Sequence, residues 1–146
     1  MTSLMCLSGE AMTQLCCLAV AVFFEARGET TMGQYAVAEV VMNRVEDPRY
    51  PDTVCDVVFE DRQFSFTHDG RPDRLPRLPS SEATLLDTRA SRKARTVASD
   101  VLGGYRMGIS STHYHTVSVD PFWNEHFELD GKIGNHLFYT NETNYR

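Results

Sequence analysis

Apolar residues crowd one early stretch of the chain and recur at regular spacings after it. Met12, Leu15, Cys16, Ala19, Val22, Phe23 and Ala26 follow a helical period, and Leu18, Val20 and Phe24 fill the remaining faces. A helix that is apolar all round is buried all round. The pattern therefore predicts a central helix that begins near Ala11 and stops at Gly28. Residues 1–10 carry no such period and are expected to be weakly ordered. One residue breaks the rule: a carboxylate, Glu25, sits in the last turn of this greasy segment.

Thr30 or Thr31 caps a second helix, roughly Met32 to Val45, with Tyr35, Val37, Ala38, Val40 and Val41 as its packing face. Pro48 and Pro51 end it and force an extended connection. Asp52 or Thr53 caps a short helix from Val54 to Phe59. Gln63-Phe64-Ser65-Phe66-Thr67 alternates polar and aromatic residues, as a half-buried strand does, and His68-Asp69-Gly70 turns it. Residues 71–80 hold three prolines and read as a surface loop. Ser80 or Ser81 then opens a helix that runs to Leu102 and stops at Gly103-Gly104. Its buried stripe is Ala90, Ala94, Val97, Ala98, Val101 and Leu102; Arg89, Arg92, Lys93 and Arg95 form its solvated side. Thr112 to Val117 is strand-like, Pro121-Phe122-Trp123 is an aromatic turn, and Ile133 to Thr140 is a second short strand, with Asp130-Gly131 as a turn signal. No repeat or second core is visible. The expectation is one domain over residues 1–146, α+β and mostly helical, with a small β element.

The 146 residues carry a net charge of −6 and no block of Lys or Arg, which disfavours nucleic acid as a partner. The apolar run from Leu15 to Phe24 is too short to span a bilayer. The first basic residue is Arg27, so a positively charged export leader is not recognisable. Such a chain is expected to be made in the cytoplasm and to reach any outside substrate by another route. Its four cysteines, Cys6, Cys16, Cys17 and Cys55, match no zinc spacing. They read either as buried reduced thiols or as a disulfide of Cys55 with Cys16 or Cys17.

Glu25 changes the picture most. A helix C-terminus and apolar neighbours both disfavour an ionised carboxylate, so its pKa is expected to rise. A carboxylic acid protonated near neutral pH suits general acid catalysis. Gln63, Phe64, Ser65, Tyr114 and Trp123 supply the aromatic faces and polar edges that bind sugars, which points to glycosidic cleavage. A rival site uses histidines. His113 and His115 alternate along a strand, and with His136 or His126 they make a three-histidine zinc site for an amidase or peptidase. A Cys55 nucleophile is disfavoured by its apolar surroundings, and a carbohydrate-binding module would leave Glu25 without a purpose.

Several ordered motifs then carry a resemblance. Glu25-Ala26-Arg27-Gly28-Glu29, Gly33-Gln34 and the run Ala36 to Val45 are followed by Tyr50 to Val58 and Gln63-Phe64-Ser65. Thr112 to His115, Pro121-Phe122-Trp123 and Ile133 to Tyr139 complete the set. From Cys17 onward the chain resembles the SleB-like cell wall hydrolase family, the catalytic domain of spore-cortex-lytic enzymes. The resemblance implies a lysozyme-like fold with a small β element beside a peptidoglycan cleft. It implies Glu25 as catalytic acid, with Gln63, Phe64, Ser65, His113, Tyr114, His115 and Trp123 binding substrate and Glu29 and Tyr139 in support. It implies a lytic transglycosylase that acts without metal or cofactor, as a monomer. A hydrolytic muramidase would need a second carboxylate, for which Asp61 and Asp69 are candidates. A compact chain with no leader resembles phage endolysins released through holin pores, and the cysteines before and after the motif imply a Cys17–Cys55 disulfide.

Overall fold

The computed structural model describes residues 13–60, 89–119, 121 and 125–141. Helix α1, Gln14–Ala26, is the hub: Cys16 through Phe23 and Ala26 are buried, and it packs against α4, α2 and α3. Its start is fixed by Thr13, whose hydroxyl accepts from the Cys16 amide at 3.1 Å. Helix α2, Thr31–Val45, is capped in the same way by Thr30 on Gly33, and α3, Val54–Val58, by Thr53 on Asp56. In each case the capping hydroxyl satisfies an amide that the first turn leaves unpaired. Helix α4, Arg89–Leu102, buries Ser91, Ala94, Val97, Ala98 and Val101 against α1. The 80–88 segment expected to precede it lies outside the described residues. On the basic side, Arg89 and Arg92 are exposed, while Lys93 is half-buried and donates to the Thr31 hydroxyl at 2.5 Å.

Three antiparallel strands complete the α+β arrangement: β1, His113–Thr116; β2, Glu128–Ile133; and β3, His136–Thr140, in the order β1-β3-β2. The sequence signals place one strand over 133–140 and a reversal at Asp130-Gly131. Instead, β2 runs through that pair, where the register shifts between Leu129 and Gly131. The Asp130 carboxylate is held there by the hydroxyls of Ser111 and Thr140, both at 2.6 Å. The chain turns at Gly134-Asn135, with Gly134 at φ +60°, in the left-handed region that favours glycine.

Cys17 and Cys55 form a disulfide with a Cα–Cα distance of 5.2 Å, which ties α1 to α3. Cys16 is disulfide-bonded as well. The reduced-thiol reading is therefore set aside for these three.

Helix α2 holds the segment that leads into β1. Glu39, only 2% exposed, accepts backbone amides of Met107 at 2.5 Å, Gly108 at 3.0 Å and Ile109 at 2.8 Å. One turn later, the Asn43 amide donates to the carbonyls of Ile109 and Ser111, and Arg44 donates to that of Thr112. The amide of Glu39→Gln keeps one acceptor oxygen and turns an NH2 group toward amides that need an acceptor. Its expected cost is about 1–3 kcal/mol of stability, to be read from chemical denaturation of the folded variant.

Candidate active site

The β1–β3 register sorts the C-terminal side chains onto two faces. Tyr114 pairs with Phe138 and Thr116 with His136; His113 pairs with Tyr139 and His115 with Leu137. Directly opposed residues share a face, and neighbours along a strand alternate. The Tyr114–Phe138–His136 face packs onto the end of α1 and onto α2, where Phe138 meets Ala26, Ala36, Val37 and Val40. This docking brings the Tyr114 hydroxyl to Glu25, donating to Oε1 at 3.3 Å. Burial first, and then the Glu25 charge, push the Tyr114 phenol well above its ordinary pKa of 10. It therefore remains a protonated donor throughout the physiological range.

Glu25 is half-buried in the last turn of α1, and Arg27, the C-cap residue, lays its guanidinium 4.8 Å over the Phe23 ring. Glu29 is not the exposed acid that its place beyond Gly28 suggests. Its side chain is 12% exposed, and its carboxylate accepts the Asn135 backbone amide at 2.8 Å and the Asn135 side-chain amide at 3.3 Å. It thus clamps the β2–β3 turn against the end of α1. A Cβ at residue 134 would overlap Glu29 Oε1, a second reason for glycine there.

Known proteins match most of this chain. The family model described as Cell Wall Hydrolase matches residues 28–139. The chain belongs to the cell wall hydrolase family. Among curated relatives of this chain, a spore cortex-lytic enzyme of Halalkalibacterium halodurans is 32% identical over 124 residues, 83% of this chain and 33% of that protein. The Bacillus subtilis spore cortex-lytic enzyme is 43% identical over 68 residues, 47% of this chain and 22% of that protein. The chain thus spans about a third or less of the length of these relatives. Among solved structures, the catalytic domain of the germination-specific lytic transglycosylase SleB from Bacillus anthracis aligns with a TM-score of 0.69 at 28% identity, covering 90% of this chain and 98% of that one. The Bacillus cereus SleB catalytic domain aligns with a TM-score of 0.68, covering 90% and 94%. The lysozyme-like α+β fold expected from the motifs is the fold observed.

Of the residues singled out in the sequence, the structure brings Glu25 and Tyr114 together and sets Glu29 at the adjoining turn. Gln63, Phe64, Ser65 and Trp123, and the second-acid candidates Asp61 and Asp69, lie outside the described residues. His113 and His115 occupy the sheet face away from Tyr114. His113 packs between Tyr50 and Phe127, with ring centroids at 6.3 and 4.7 Å, and Nε2 of His115 meets the Tyr139 hydroxyl at 3.0 Å. Tyr139 therefore supports His115 rather than Glu25. His136 lies on the opposite face from both histidines, so the register breaks up the version of the three-histidine zinc site that includes His136. Among the described residues, no group of three His, Cys, Asp or Glu side chains is placed to hold a metal, and no helix is long and apolar enough to cross a membrane.

Burial, followed by the charges of Arg44 and Arg49, pushes the His113 imidazole down to about 3. The unfolded chain takes up this proton near pH 6.5, and the folded one only near pH 3. Stability from neutral His113 is thus fully present above about pH 6.5 and lost as the pH falls toward 3. Replacing it in His113→Gln should flatten the slope of unfolding free energy across this window, as measured by urea unfolding at stepped pH.

Proposed function

We propose that this chain cleaves the glycan strands of peptidoglycan between N-acetylmuramic acid and N-acetylglucosamine as a lytic transglycosylase, with Glu25 as its single acid and base. The observation that carries the reading is the Glu25–Tyr114 contact at the end of the buried helix. With Oε1 accepting from Tyr114, the transferable proton belongs on Oε2. Glu25 gives that proton to the glycosidic oxygen, and the C1–O bond breaks as an oxocarbenium centre forms, stabilised by the substrate's own acetamido group. The resulting carboxylate removes the proton of the muramoyl 6-hydroxyl, whose oxygen closes onto C1. The product is a 1,6-anhydro sugar, no water is consumed, and Glu25 ends protonated as it began.

The engagement of Glu29 leaves it unsuited to be the second carboxylate of a hydrolytic muramidase. A hydrolase needs a second carboxylate at a set separation to activate water or stabilise the cation. Glu29, the acid next to Glu25 in the motif, is committed to the Asn135 turn. The Cys17–Cys55 disulfide agrees with action at the wall, outside the reducing cytoplasm. Mass spectrometry of muropeptides released from purified sacculi tests the reading. Anhydromuramoyl ends, one water lighter than hydrolytic ends, are the expected products; reducing muramic acid ends would assign hydrolysis instead.

A further inference from the structure

Nδ1 of His136 is buried and has no hydrogen-bond partner, and the imidazole is 1% exposed. An unpaired buried nitrogen is costly to keep, so the surroundings of this ring bear on its role. On one side, Nδ1 lies 3.9 Å from Glu29 Oε1, the oxygen that also accepts the Asn135 amide. On the other, the ring meets Tyr114 edge to face, with centroids 5.1 Å apart and planes at 89°. Tyr114 in turn donates to Glu25. Four side chains thus run in series from the second acid of the motif to the first: Glu29, His136, Tyr114, Glu25.

We propose that His136 is a positioning residue, held by Glu29 and braced against Tyr114 so that the phenol stays seated on the Glu25 carboxylate. The proposal rests on the reading of Glu25 given above and extends it to a residue in contact with neither substrate nor reacting atoms. A movement of about 0.7–1 Å closes the 3.9 Å gap into a hydrogen bond. An N–H on Nδ1 then points at Glu29, and the tautomer is fixed by that partner.

Protonation of His136 changes the arrangement. An imidazolium competes with Asn135 for Glu29 and sets a positive charge behind Tyr114. That charge favours the ionised form of Glu25, which has no proton for the first step. The titratable groups around His136 are Glu29 after α1, Tyr114 of β1 against its ring, and His115 of β1 across the sheet; Tyr114 links it to Glu25 on α1, and α2 contributes Arg44, whose charge reaches Tyr114. Burial holds the imidazole below its ordinary 6.5, with Glu29 acting against that shift and His115 adding to it. Activity is therefore expected to fall on the acid side as His136 takes up a proton.

Three variants and two readouts test this. His136→Phe keeps the ring contact with Tyr114 and removes both nitrogens. His136→Gln keeps a polar group at the position. Glu29→Gln keeps an acceptor for Asn135 and removes the charge. Both His136 variants should lower kcat for muropeptide release about tenfold to a hundredfold, the cost of a slightly misplaced catalytic group, with KM within about twofold. Their acid limb should also lose the His136 step. Imidazole NMR of the intact protein, assigned by the peak missing in His136→Gln, should show a midpoint that moves to lower pH in Glu29→Gln. The acid limb of kcat should move with it.

A His136→Phe enzyme with wild-type kcat would reduce the residue to packing and overturn the proposal. So would a His136 titration that ignores Glu29→Gln. Wild-type protein that releases no fragments would overturn the reading of Glu25 and the catalytic half of this inference, while the NMR titration still decides whether Glu29 and His136 are coupled.

Discussion

Glu25→Gln should leave a folded protein that no longer lyses cell walls. The amide is nearly the same size and keeps an oxygen to accept the Tyr114 hydroxyl, so neither the helix end nor the sheet docking is disturbed. It has no proton to give and cannot take one back. A single positioned acid or base contributes about 10²–10⁴-fold, and here one group serves both steps. Turbidity clearance of purified walls should fall about 10³-fold or more, with unchanged circular dichroism and melting temperature. Clearance within tenfold of wild type by the folded variant would remove Glu25 from the reaction.

The largest expected effect on stability comes from the Cys17–Cys55 disulfide. It closes a loop with a sequence separation of 38 between the hub helix and α3. Chain entropy alone assigns such a cross-link about 4 kcal/mol, and native disulfides in small domains contribute about 2–5 kcal/mol. Cys17→Ala with Cys55→Ala should lower the denaturation midpoint accordingly, and a reducing agent should lower that of the wild-type protein by at least as much, since it opens the Cys16 disulfide as well. An unchanged midpoint on reduction would show that α1 and α3 hold together through packing alone.

Much of this arrangement is legible in the sequence, for local reasons. The apolar run from Leu15 to Phe24 specifies a buried helix, and Thr30 and Thr53, each one of two capping candidates, mark where the next helices begin. The sheet is harder to read. Asp130-Gly131 and Gly134-Asn135 are both turn signals, and the choice between them is made by remote partners: Ser111 and Thr140 on Asp130, Glu29 on Asn135. The alternation of His113 and His115 predicts correctly that they share a face. Which face meets the acid depends on the pairing with β3 and on Tyr50 and Phe127, distant in sequence.

Glu39 offers the sharpest lesson. A carboxylate set in apolar sequence drew attention to Glu25, and the same signal stands between Ala38 and Val40. At Glu39 the carboxylate meets three backbone amides and anchors a loop; at Glu25 it meets a phenol at a helix end. Sequence marks an acid in apolar surroundings in both places, and only the partners distinguish the Glu39 anchor from the acid proposed at Glu25.

The position of Glu25 on α1 also bears on how the enzyme fails. Many enzymes mount their reacting groups on loops that loosen before the rest melts. Here the acid rides the helix around which the core is packed. Amide exchange in α1 should therefore require opening of the whole molecule. Heat should extinguish activity and fold in a single step, with no temperature range in which a folded but inactive population accumulates.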